Sequence, residues 1–157
     1  EVKNTDAEGR IVMMDAIALA VEEGVDAIID IATLTGAALM ALGQLTAPVL
    51  GNDQRVVDLT LAASAVTGEP LWQLPLERKY RPQLDSDVAD LANIGGRYAG
   101  ATTAALFLDH FTRKTPWAHP DIAGTMAVDA DESWRSKGAT GFGARLLLET
   151  ALTFTKA

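Results

Sequence analysis

The 157-residue chain has no cysteine. Disulfides and thiolate metal sites are therefore excluded, and any metal the chain holds must sit on oxygen or nitrogen. No apolar run approaches the ~20 residues of a membrane helix, so no membrane partner is expected. A basic segment followed by an apolar core and a small-residue cleavage site is missing too, so no signal peptide is read. With the absent cysteines, this fits a cytoplasmic protein. Basic residues are scarce: 13 Lys and Arg stand against 21 Asp and Glu, a net charge of −8. No Lys/Arg cluster exists to neutralise phosphates, which argues against nucleic acid as a partner. Repeats and low-complexity tracts are also absent. What is present is 48% apolar and 22% charged, a globular composition in a chain long enough to bury one sizeable core.

The patterning alternates between helix and strand. Ile11, Met14, Ile17, Ala18 and Val21 recur at helical spacing, with Gly24 as the stop. Val25–Ala32 reads as a largely buried strand, followed by the loop Thr33-Leu-Thr-Gly36 and a short helix over Ala37–Leu42 ended by Gly43. Ala47–Gly51 is a further strand, and Asp53 caps a helix to about Val66 closed by Gly68. Leu71–Pro75 is extended, Leu76–Gly96 polar and irregular, and Ala99–Thr112 a strong helix. Trp117–Ile122 reads as the final strand, and Ala144–Phe154 as the last helix. Helix, short loop and apolar strand in succession predict an α/β fold: an open, mostly parallel or mixed sheet flanked by helices.

The segment with most chemistry comes first: Asn4-Thr-Asp-Ala-Glu-Gly-Arg10. On an extended backbone Asp6, Glu8 and Arg10 would share one side. Two carboxylates so placed repel each other unless a cation lies between them, and oxygen donors suit a hard or borderline divalent metal. On composition alone the same pattern reads as a solvated edge with one weak ion pair.

The complete string decides between these readings. Asn4–Arg10 resembles, without a substitution, the signature of the leucyl aminopeptidases, the dinuclear-metal M17 family. Asp30–Ala37, Asn93-Ile-Gly-Gly-Arg97, Ala99–Leu108, Trp117–Gly124 and Gly138–Arg145 resemble further blocks of that family, in the same order. Coverage is nearly end to end, and ordered blocks are far more specific than one motif.

The resemblance implies a reaction and a set of roles. The reaction is release of N-terminal residues, leucine-like ones preferred, from peptide substrates. Asp6 is implied as ligand to one of two divalent metal ions (Mn or Zn), and Glu8 as a bridge between both. Arg10 is implied to hold a bicarbonate that acts as general base, so that it works through its anion and not through a salt bridge to Glu8. Leu34 supplies a backbone acceptor and Gly36 a backbone donor to substrate, while Thr33, Gly36, Ala123 and Met126 line the pocket for the first side chain. His119, in a strand beside Asp121, reads as a hydrogen-bonded core residue, and His110 sits near a helix end; neither is nominated for the site. Asp30 and Asp121 read as structurally paired acids.

The family's remaining ligands, a Lys and two Asp, and a second Lys that polarises the carbonyl, lie upstream of the motif in relatives. The chain opens on Glu1 and reaches its motif within six residues. Residues 1–157 are therefore expected to be the C-terminal part of a larger catalytic domain, without peptidase activity alone. Relatives form hexamers, and the polar stretch 76–96 is the expected contact region. A non-catalytic scaffold or a metal-binding fragment of an oligomer is the alternative.

Overall fold

A computed structural model describes residues 1–156. Helix α1 spans Gly9–Glu22 and turns Ile17 inward, with Ile11, Met14 and Val21 beside it, as the spacing predicts. Strand β1 (Ile28–Ile29) is shorter than the expected Val25–Ala32. Its ladder starts at Ile28, paired with Trp117, because the residue before Trp117 is Pro116, which accepts a hydrogen bond from Ile28 but has no N–H to return. The chain stays extended beyond β1, with Ala32 bridged to Asp121.

Helix α2 (Gly36–Leu42) follows, then β2 (Ala47–Gly51), α3 (Gln54–Thr67) and β3 (Leu71–Gln73). The Asp53 carboxylate accepts from the Val56 amide at 3.1 Å, and Gly68 closes α3 at φ 65°, so both caps read from sequence are present. Helix α4 (Gly100–Phe111) leads to β4 (Trp117–Pro120), and α5 (Ala144–Thr153) comes last. Between them, the two-residue strands β5 (Ala127–Val128) and β6 (Gly138–Ala139) pair antiparallel, so β4 is not the final strand. Two-residue strands carry no periodicity by which a sequence could announce them.

The main sheet has the order β1-β4-β2-β3. The outer pairs are parallel and the central β4–β2 pair antiparallel, which makes the sheet mixed. Successive residues of β4 and β2 feed opposite faces. Leu50 and Trp117 join Ile17, Leu84, Leu106 and Leu108 under α1 and α4, while Val49 and Ala118 join Val56, Val57 and Leu146 under α3 and α5. Leu50, Leu108 and Leu146 are fully buried, and each stabilises the fold by about 1.5–3 kcal/mol relative to an exposed side chain. Leu76–Gly96 is irregular but not merely solvated. It contains a 3-10 helix, Arg78–Leu84, and buries Leu84, Leu91, Ala92 and Asn93. Among the described residues no helix is long and apolar enough to cross a membrane.

The opening motif departs from the expected extended form. Thr5–Ala7 is a 3-10 turn running into α1, because the Asn4 side chain accepts from the Asp6 amide at 2.8 Å and bends the chain there. Asp6, Glu8 and Arg10 therefore do not alternate along one strand face. The first two are exposed and Arg10 is 5% exposed.

Candidate functional site

Strands β1 and β4 are parallel neighbours, so the loops leaving their carboxyl ends emerge side by side. Such ends are where open α/β sheets bind ligands. The first loop, residues 30–36, ends in the Thr35 cap of α2, whose hydroxyl accepts from the Ala38 amide at 3.0 Å. The second, residues 121–126, presses against the end of α2. A Cβ at Gly124 would lie 2.1 Å from the Gly43 carbonyl oxygen, so only glycine lets the two backbones meet.

Above these loops the N-terminal ends of α1, α2 and α4 close on a cavity of about 300 Å3. Its wall includes Asp6, Arg10, Leu34 and Gly36, four residues nominated from sequence, together with Arg97 and Thr103, which were not. Glu8 is exposed at the N-cap of α1 and is not part of the wall. Thr33 is exposed on the loop just before it. Ala123 and Met126 lie on the second loop, outside the wall, with Met126 exposed.

Arg10 is the electrostatic centre of the cavity. Its Nη1 donates to the Asn93 carbonyl at 2.9 Å, while its buried Nε has no partner. Among the described residues no carboxylate forms an ion pair with it, Glu8 included. Burial lowers its pKa and Asp121 opposes that shift. A buried guanidinium with a free donor calls for an anion, and a planar oxyanion matches its fork. The donor set at the entrance is carboxylate only, and among the described residues no three His, Asp or Glu converge as a metal would need. Asp6, on the cavity wall, and Glu8, exposed beside it in sequence, are the carboxylates of the opening motif.

Asn93, the first residue of the block Asn93-Ile-Gly-Gly-Arg97, organises the motif, a role its sequence context does not announce. Its Oδ1 accepts from the Lys3 and Asn4 amides at 2.9 and 3.3 Å; its Nδ2 donates to the Asn4 and Ala7 carbonyls at 2.7 and 3.2 Å. Its burial shows only in the fold, so the sequence offered no signal for this role. His119 is buried within β4, its Nδ1 on Asp30, its ring stacked on Trp117 at 6.0 Å and 10°. Trp117 also donates to Asp30, so this acid is structurally paired as read from sequence. Burial works against a charged His119 ring. Asp30, by charge and hydrogen bond, and then Asp121 outweigh burial and the repulsion of Arg10, so the pKa is raised.

Compared with known proteins, residues 1–148 match the sequence model of the cytosol aminopeptidase family, catalytic domain. Similar relatives include probable cytosol aminopeptidases of Synechococcus sp. (strain JA-3-3Ab), 49% identical over 97% of this chain and 30% of the relative, and of Geobacter sulfurreducens, 51% identical over 95% and 30%. Another, from Alkaliphilus metalliredigens, is 46% identical over 99% of this chain and 31% of its own length. The chain thus spans about 30% of the length of the curated relatives it matches.

Proposed function

The chain belongs to the cytosol aminopeptidase family, matching its catalytic domain, and from that premise we propose that it is the C-terminal part of a metal-dependent aminopeptidase. In this reading the full-length protein releases N-terminal residues from peptides, leucine-like ones preferentially, and assembles as a hexamer in the cytosol. When bound, two divalent ions, Mn²⁺ or Zn²⁺, supply Lewis acidity and acidify water, and a bicarbonate at Arg10 supplies a base. Asp6 and Glu8 would hold these ions through their carboxylate oxygens, Asp6 toward one and Glu8 shared between the two. The unpartnered Nε of Arg10 holds the anion, and the bond from Nη1 to Asn93 keeps the guanidinium facing it. The Leu34 carbonyl accepts from the substrate backbone. Gly36 heads α2, where amide N–H groups have no partner inside the helix, and donates to the substrate. Thr33, Gly36, Ala123 and Met126 surround the first side chain, with Met126 the adaptable member.

One observation supports this reading above the others: Asp6, Arg10, Leu34 and Gly36, from two separate segments, share the wall of one cavity at the carboxyl ends of parallel strands. A scaffold would have no need of a buried guanidinium whose Nε has no partner within the protein. The test is hydrolysis of leucyl-p-nitroanilide by the full-length protein and by the 157-residue chain, each with and without Mn²⁺ or Zn²⁺, beside Glu8→Ala. Metal-dependent turnover by the full-length protein, lost in Glu8→Ala and absent from the chain alone, is the expected result. A metal-loaded full-length protein without turnover overturns the proposal.

A further inference from the structure

A carboxylate taken out of water must have its oxygens hydrogen-bonded, because an unsatisfied charge is among the costliest things to bury. Asp121 is 1% exposed and meets that demand without a cation. Oδ1 accepts from the amides of Leu34 at 3.0 Å, Thr35 at 3.3 Å and Ala123 at 3.2 Å, and Oδ2 accepts from the Thr35 hydroxyl at 2.6 Å. These donors belong to both loops assigned to substrate in the proposed function.

Each amide bond fixes more than its own N–H. A trans peptide is planar, so an N–H aimed at Asp121 sends the carbonyl of the preceding residue the opposite way. The Thr35 amide on Asp121 thus sets the direction of the Leu34 carbonyl, the proposed substrate acceptor. The Ala123 amide sets the Ile122 carbonyl, which accepts from both Thr125 and Met126 at 3.1 Å and so holds the turn that carries Met126. The Thr35 hydroxyl completes the chain. Its oxygen accepts from Ala38, so its proton is committed to Asp121, and the first turn of α2, with Gly36, is tied to the same carboxylate.

We propose that Asp121 is a positioning residue for peptide hydrolysis: one buried carboxylate that aims the Leu34 carbonyl and the Gly36 amide at substrate and locks the two pocket loops together. The proposal rests on the aminopeptidase reading. Asp121 touches no substrate and acts through the backbone it orients.

The experiment uses the metal-loaded full-length protein and leucyl-p-nitroanilide, with kcat, KM and metal content measured for Asp121→Asn, Asp121→Ala, Thr35→Val and Thr35→Ser. Asparagine keeps the Oδ1 acceptor but sets an NH2 against a hydroxyl oxygen that already accepts from Ala38. Valine removes the Oδ2 bond together with the α2 cap bond from the Ala38 amide, leaves the three amide bonds to Oδ1 in place, and is compared with Thr35→Ser, which restores both. KM is expected to rise roughly tenfold or more in Asp121→Ala, by less in Asp121→Asn and Thr35→Val, and to return near wild type in Thr35→Ser, with metal content unchanged throughout. If Asp121→Ala does not fold, the remaining three variants decide. Wild-type KM in all folded variants, with kcat lowered only in proportion to intact protein, would make Asp121 a stability residue and overturn the proposal. Wild-type protein that turns over under these conditions sets that outcome apart from failure of the aminopeptidase reading, in which no variant and no wild type would turn over and both proposals fall.

Discussion

Replacing Asn93 by alanine should release the opening motif, residues 3–7, while sparing Arg10. The side chain makes four hydrogen bonds to residues 3–7, two accepted and two donated. Each is worth about 1 kcal/mol net when both partners otherwise reach water, and more when a partner is left buried. Lys3 is exposed and Asn4 half-buried, so their groups rehydrate; Ala7 is buried and its carbonyl is left without this donor. We therefore expect a loss of about 2–3 kcal/mol, a substantial share of the ~5–15 kcal/mol that keeps a domain folded. Arg10 stays in place because its bond goes to the Asn93 backbone carbonyl, which the substitution retains. Asn93→Asp should be at least as damaging, since it keeps the acceptor but turns a carboxylate oxygen toward two carbonyls. Urea unfolding gives the stability change, and hydrogen exchange at the Lys3 and Asn4 amides reports the local release. A stability loss below about 0.5 kcal/mol, the range of neutral surface substitutions, with unchanged exchange at both amides, would refute the clamp.

The parts of the fold that were legible in the sequence are those with local causes. The caps of α3 are written in Asp53 and Gly68, and α1 is written in a helical repeat of apolar residues ended by Gly24. Strand β1 was overextended because apolar character marks burial, whereas a ladder needs a partner, and the partner's start is fixed by Pro116 some 90 residues away, a separation the sequence does not reveal. The opening motif was misread for a similar reason. Alternation of Asp6, Glu8 and Arg10 suggests a strand, yet a side chain of the motif itself, Asn4, and a distant one, Asn93, bend it into a 3-10 turn. For the site, the family blocks nominate groups that act directly, while Asn93 carries no role there and Asp121 reads only as a structurally paired acid, with nothing to show that its partners are loop amides. A residue whose work is done through other residues' N–H groups leaves no chemical signature in one sequence.

Two further outcomes follow from the packing around the site. Gly124→Ala would set a Cβ 2.1 Å from the Gly43 carbonyl oxygen and should destabilise by about 1–3 kcal/mol or more; Gly36→Ala, with open space at its Cβ, should unfold at the wild-type urea concentration, and equal midpoints for the two would refute the close approach. Stability should also fall as pH rises, through His119. Asp30 and Asp121 raise its pKa in the folded chain above the ~6.5 of an unfolded histidine. The folded state therefore binds the proton more tightly, a contribution fully present below about pH 6.5 and lost as pH climbs through the raised folded value. Asp30→Asn removes the carboxylate on Nδ1 and should flatten that slope while lowering stability on the acid side of the window. Urea unfolding at intervals from about pH 6 to 9 measures it. If wild type and Asp30→Asn lose stability with the same slope above pH 6.5, the proton is not held between Asp30 and His119, and the reasoning from their contact is wrong.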